Sequence, residues 1–249
     1  MLVKGMIFCE GASDQILISA YLMKEKGWEF VKGRKDSFPF SDKDLFWYVN
    51  ESGEYLGIWQ ISGKSFEPVI RKVLVLEAVE HTVESICIIT DHDDEDEAES
   101  KRPEGIFNAV HEVLKIKDFD VNELIVKSNH RWTSIEYKDS FLQEQHMNIC
   151  YLLVPLDSQG ALETYMLNAI SEDSESKKNA IRQVKAFIKG FQSEEFLKKR
   201  RERLKAELSV SISVFLPDRM FDTMTELIKS IDWADFRTTD TQFGVLLNI

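Results

Sequence analysis

Residues 85–93 read SICIITDHD, an unbroken apolar run from Ile86 to Ile89 that closes on Thr90 and passes at once into Asp91, His92 and Asp93. A strand with one wet face alternates apolar and polar residues, whereas a continuous β-branched run suits a strand covered on both faces. Carboxylates that end such a strand need water or a cation to meet them. The stretch therefore predicts a central strand of a helix-covered sheet, with acids at its C-terminal rim.

Working outward, Leu2 to Cys9 (LVKGMIFC) is a second apolar run, and it too ends on an acid, Glu10, followed by Gly11. Ser13 and Asp14 offer an N-cap for a helix over 15–26, where Ile16, Leu17, Ala20 and Tyr21 recur at helical spacing, and Gly11 is read as permitting a tight turn. Residues 44–50 and 55–61 are aromatic and β-branched around Glu51-Ser52-Gly53-Glu54, which predicts a β-hairpin inserted after that helix, within about residues 28–63.

A helix over 66–81 with Val69, Val73, Leu76 and Val79 on one face leads into the 85–90 strand. Pro103 then starts a helix over about 104–114, residues 124–127 form a possible short strand, and 129–145 is too polar to assign. Asn148 to Pro155 (NICYLLVP) is a third buried strand, and GALETYMLNAI, Gly160 to Ile170, resumes a helix. The remainder reads as helices over 174–190 and 193–207, a strand-like SVSISVF over 209–215, and a helix around 220–231.

Strands alternating with helices imply an α/β fold with a mainly parallel, Rossmann-like sheet flanked by helices. The reading divides the chain into a domain over 1–170 and a mostly helical extension over 171–249 packed on it. In such sheets ligands gather at the C-terminal ends of the strands, where Glu10, Asp91 and Asp93 fall. Period-two geometry turns Asp91 and Asp93 to one side if the chain stays extended, and Glu10 joins them if its strand is the neighbour. Carboxylate oxygens are hard ligands suited to Mg2+ or Mn2+, and without a cation they repel one another.

Composition narrows the function classes. With 43% hydrophobic and 30% charged residues the chain has the make-up of a globular protein, so disorder is not the default. The N-terminus enters a strand-like run without a cleavage pattern, and no stretch approaches the roughly 20 apolar residues of a membrane span. Cys9, Cys87 and Cys150 sit in apolar runs at spacings that match neither a zinc site nor a disulfide framework, which predicts buried, reduced thiols. The expectation is a cytoplasmic protein without a membrane partner. A formal charge of −12 argues against coating nucleic acid by electrostatics alone, yet leaves room for a metal-dependent enzyme acting on phosphates.

Three motifs in order, FCEGASD (Phe8 to Asp14), DHD (Asp91 to Asp93) and GALE (Gly160 to Glu163), resemble a TOPRIM domain. This is the metal-binding module shared by topoisomerases, bacterial primases, small ribonucleases and overcoming-lysogenization-defect nucleases. The likeness covers about residues 1–170 and is greatest to stand-alone TOPRIM-like proteins with an insertion after the first helix and a helical C-terminal part. It implies Glu10 as metal ligand or general acid/base, Asp91 and Asp93 as metal ligands and catalytic residues, and Glu163 as a candidate ligand for a second ion. Two ions would sit roughly 4 Å apart and act on the attacking water and leaving oxygen of a phosphodiester, so the implied reaction is hydrolysis of DNA or RNA. The chain departs from primases in lacking zinc-ribbon spacing and carries no GxxxxGK[ST] loop. That leaves a second class open: a non-catalytic module that binds metal and nucleic acid or nucleotide beside a partner ATPase or nuclease.

Other residues have plainer roles to set against functional ones. Asp94 to Glu99 is the kind of charge run that is usually a solvated loop, and His92 between the acids is more often simply exposed than a phosphate ligand. His130 and Arg131 are candidate phosphate contacts. Lys198 to Lys205 is the strong basic cluster of an acidic chain; it is either a solvated helix face or a nucleic-acid contact, with Lys205 the first candidate. Trp47, Tyr48 and Trp59 could stack bases, but such aromatics more often fill space beneath a hairpin. Oligomeric state is not legible.

Overall fold

The apolar runs form the middle of one seven-stranded sheet, β1 (Val3–Cys9), β4 (Tyr55–Gln60), β5 (Ser85–Asp91) and β7 (Glu144–Val154) lying parallel in the order β4-β1-β5-β7. The computed structural model describes residues 3–32, 38–62, 65–80, 83–92, 102–116, 120–191, 196–219 and 222–249. Antiparallel strands close both edges: β2 (Glu29–Phe30) and β3 (Leu45–Val49) beyond β4, and β6 (Thr133–Lys138) beyond β7. The α/β class and the mainly parallel sheet flanked by helices are as the sequence predicts.

The central strands are continuous in hydrophobicity because both faces are covered. Ile7 and Cys9 of β1, Cys87 and Ile89 of β5, and Cys150 and Leu152 of β7 enter one core; Met6 and Phe8, Ile86 and Ile88, and Ile149 and Tyr151 enter the other. The first core is roofed by α1 (Ala12–Lys26), α5 (Leu162–Glu172), α6 (Glu175–Gly190), α7 (Arg200–Phe215), α8 (Met224–Ser230) and α9 (Arg237–Phe243). The second is roofed by α2 (Phe66–Glu80), α3 (Arg102–Leu114) and α4 (Val121–Ser128). Ile228, Trp233, Phe243 and Leu246 share a core with Ile7 and Leu17, so the 171–249 region packs directly on the sheet. All three cysteines are buried and unpaired.

Some local expectations hold and others are corrected. The hairpin forms as read, β3 against β4, and it is built into the sheet: β4 pairs with β1 from Val3↔Tyr55 to Cys9↔Gln60, and Leu56, Ile58 and Trp59 are buried. Trp47, Tyr48 and Trp59 are at most 5% exposed, so they follow the commoner reading of such aromatics and fill the core, leaving no face for base stacking. Residues 124–127 belong to helix α4, because Asp120 caps it, accepting from the N–H groups of Asn122 and Glu123 at 2.8 and 3.2 Å. The SVSISVF stretch is the second half of α7, where Leu208, Ser211 and Ile212 fall on its buried stripe. On α2 the buried stripe is Phe66, Ile70, Val73 and Leu74, while Val79 is exposed.

Candidate functional site

From β1 the chain builds β3 and β4 on one side; it then returns to build β5 and β7 on the other. The helix that follows β1, α1, lies on the first core, whereas α3, which follows β5, lies on the second. The helices that follow β1 and β5 therefore lie on opposite faces, and the rim between these strands is the switch point of the sheet, where ligands of open α/β sheets bind.

Glu10 and Asp91 stand on either side of it. Asp91 is the last residue of β5, and its backbone N–H donates to Glu10 Oε1 at 2.8 Å. The second oxygen of each carboxylate turns to the same cation: Arg201 Nη2 is 2.6 Å from Glu10 Oε2 and 2.6 Å from Asp91 Oδ2. Arg201 comes from the first turn of α7, far along the chain. The acids are largely enclosed, with side chains 14% and 9% exposed, while the arginine is 48% exposed.

The GALE segment is fastened to the same rim. His92 and Gly160 form an antiparallel bridge, with Gly160 N–H donating to the His92 carbonyl at 3.0 Å. Leu162 N–H, in the first turn of α5, then donates to Asp91 Oδ1 at 3.2 Å. Asp91 thus caps the positive end of a helix dipole as well as meeting the arginine. Glu163, one residue on, is close enough for its charge to raise both Asp91 and Asp14.

Asp14 is a member that sequence reasoning assigned differently. It is the third residue inside α1 and not its cap; its carboxylate accepts the Gly11 N–H at 2.9 Å, and Gln15 N–H closes the turn on the Gly11 carbonyl. Gly11 has φ −146°, an extended backbone open to any residue, so its role is to present that N–H. Burial, then the Glu10 charge, pushes Asp14 up to about 7, and Glu163 adds to the shift. Burial, then Glu10 and Asp14, pushes Asp91 up to about 9 although Arg201 acts the other way. Burial and mutual repulsion thus favour the protonated forms of Asp14 and Asp91.

Asp93 lies outside the described residues, as does the run from Asp94 to Glu99. His92 Nδ1–H donates to the Pro155 carbonyl at 3.0 Å, which orients its ring along the loop after β7. Arg131 is exposed between α4 and β6, and His130 is held by its backbone N–H to the Tyr151 carbonyl at 2.8 Å. Lys205 is exposed one turn beyond Arg201, so the residue of the basic cluster that reaches the acids is Arg201. Among the described residues, no group of three or more His, Cys, Asp or Glu side chains is gathered closely enough to hold a metal ion. None of their helices is long and apolar enough to cross a membrane.

The family model described as "Protein of unknown function (DUF3226)" matches residues 4–233. The chain belongs to this family. Among solved structures, the whole chain aligns with 93% of a hypothetical protein from Pyrococcus horikoshii OT3 at 16% identity and a TM-score of 0.55, a likeness of fold. A protein of unknown function from Thermoplasma acidophilum aligns over 92% of this chain and 90% of its own, at 12% identity and a TM-score of 0.27. No curated protein matches.

Proposed function

We propose that this DUF3226 protein is a Mg2+- or Mn2+-dependent phosphodiesterase of TOPRIM type, a nuclease acting on DNA or RNA in the cytoplasm. The observation that carries the reading is the convergence of Glu10 and Asp91, from adjacent parallel strands at the switch point, on one shared cation. The donor set fits a hard divalent ion: carboxylate oxygens of Glu10 and Asp91 converge on a guanidinium where a cation is needed, and burial and neighbouring carboxylates push Asp91 and Asp14 upward. Glu10 and Asp91 would hold the ion, with Asp93 and Glu163 completing the set. A bound ion would supply Lewis acidity and a water made acidic enough to attack a phosphodiester.

The chain's own groups contribute the rest. Glu10 fixes the Asp91 backbone, so the two carboxylates keep one relative position. The α5 N-terminus favours the charged form of Asp91 and presents positive potential toward a phosphate. The exposed Arg201 fork, matched here to two carboxylates, has the geometry that pairs with phosphate oxygens.

Single- and double-stranded DNA and RNA, incubated with Mg2+ or Mn2+, test the reading beside Glu10→Ala and Asp93→Ala. Metal-dependent cleavage lost in both variants supports it; cleavage unchanged by both removes it. The second reading, a non-catalytic module that awaits a partner ATPase or nuclease, draws on the Arg201 bridge, which gives the acids a counter-charge without metal. Metal-dependent thermal stabilisation without cleavage would favour that reading.

A further inference from the structure

Charge is unevenly spread along the chain. Residues 175–207 carry eleven Lys and Arg against five Asp and Glu, a formal +6, which leaves −18 on the rest. These residues cover α6, the connection after it and the first half of α7.

The two helices run antiparallel, and their alignment is fixed at two places. Lys177 Nζ stands 6.0 Å over the Phe215 ring, and the charge of Lys185 acts on Glu207. Eight residues separate the pairs on each helix, so the end of α6 that carries Phe187 lies beside the start of α7 that carries Arg201 and Lys205. Phe187 and Phe191 are 56% and 53% exposed, and their rings meet edge-on at 4.7 Å. Lys189, Lys198, Lys199 and Lys205, in the same stretch of the chain, are exposed as well.

Two adjacent exposed aromatic rings thus stand at the end of the helix pair whose Arg201 enters the acidic rim. We propose that the α6–α7 pair is the track for a single-stranded nucleic acid, with Phe187 and Phe191 stacking unpaired bases and these lysines following the phosphate backbone into the Glu10–Asp91 rim. The single strand is favoured because a π-face is offered only by bases freed from a duplex, whereas lysines alone would not discriminate. An otherwise acidic surface confines the backbone to this strip. The inference rests on reading the rim as a phosphodiester site, but binding does not need hydrolysis.

The test is fluorescence anisotropy with labelled DNA and RNA strands of about 20 nucleotides and the matching DNA duplex, in chelator and about 50 mM salt. Without metal nothing is cleaved, so a failure of the hydrolysis reading leaves this result standing, and the reverse. Single strands are expected to bind at least about fivefold tighter than duplex. Phe187→Ala with Phe191→Ala should weaken single-strand binding by about tenfold or more without lowering Tm, since both rings are exposed. Lys198→Glu with Lys205→Glu should weaken all ligands and flatten the salt dependence. Equal affinity for duplex and single strand, no binding by the wild type, or aromatic variants that bind like the wild type would each overturn the proposal. Dissociation of an oligomer in the aromatic variant, with strand affinity unchanged, would overturn it in favour of a second copy of the chain.

Discussion

The backbone N–H of Asp91 is hydrogen-bonded to the Glu10 side chain at 2.8 Å, so the acid that ends one central strand holds the acid that ends its neighbour. Glu10 therefore has two separable roles, one as an acceptor and one as a charge. Glu10→Gln keeps an oxygen for Asp91 N–H and removes the charge that repels Asp91 and Asp14. The expected outcome is a metal-free Tm equal to or above that of the wild type, together with loss of the stabilisation by Mn2+. For the wild type that stabilisation is about 2.7 kcal/mol at a metal concentration 100-fold above Kd. Melting curves with chelator and with millimolar Mn2+ read both effects, and a variant stabilised by Mn2+ as much as the wild type would remove Glu10 from the metal site.

Arg201 is a counter-charge shared by both acids of the metal-free cluster. Arg201→Met keeps the apolar stem and leaves Glu10 and Asp91 facing each other without the guanidinium. Because the arginine is half exposed, solvent screens part of the interaction, and the expected cost is about 1–2 kcal/mol by urea denaturation. Mn2+ should recover that loss, so the variant gains more stability from metal than the wild type does. An identical Mn2+ increment in both proteins would mean that arginine and metal do not share the acids.

The legibility of this arrangement follows from what kind of signal each part leaves in the sequence. Continuous runs such as Ile86 to Ile89 declare strands buried on two faces, and an acid at the end of two such runs marks the rim. Edge strand β6 was illegible because only Ile135 and Tyr137 turn inward while Ser134, Glu136 and Lys138 face solvent. The β-branched SVSISVF was misleading because helix packing, through Leu208, Ser211 and Ile212, overrides its strand propensity. Arg201 is one of several cations in a row, and only the placement of α7 over the sheet selects it from Lys205. Asp14 lay inside the FCEGASD motif, four residues from Glu10, but its membership of the cluster depends on burial that a helix start does not announce.

Asp14 also gives the cluster a pH signature. Its carboxyl is pushed up to about 7 in the fold, from near 4 in an unfolded chain, so folding favours the protonated form. The stability from this group is therefore fully present below about pH 4 and is lost as the pH rises through about 7, at up to ~1.4 kcal/mol per pH unit. Asp14→Asn keeps an oxygen for Gly11 N–H and removes the titration. In chelator, the variant should match the wild type near pH 4 and become the more stable of the two by pH 8. Urea midpoints across that range check the crossover, and a difference independent of pH would show that Asp14 titrates as an ordinary surface carboxyl.

Gly160 tests whether the third motif matters through its backbone. A Cβ at this position would lie 2.7 Å from Thr164 Cβ and 2.7 Å from its Oγ1. Because one obstacle is the Cβ itself, no rotation of Thr164 relieves the clash, and the start of α5 must shift. That turn delivers Leu162 N–H to Asp91 and carries Glu163, while Gly160 N–H ties it to the His92 carbonyl. Gly160→Ala is therefore expected to cost about 1–3 kcal/mol, the range for overpacking a well-filled site. It should also weaken Mn2+ stabilisation beyond what the lower Tm explains, since the helix end and Glu163 move away from Asp91 together. Glu163→Gln separates the two contributions: it leaves the backbone in place and should lower metal affinity without destabilising the fold. If Gly160→Ala lowers Tm but preserves the full Mn2+ increment, α5 supports the sheet without shaping the acidic rim.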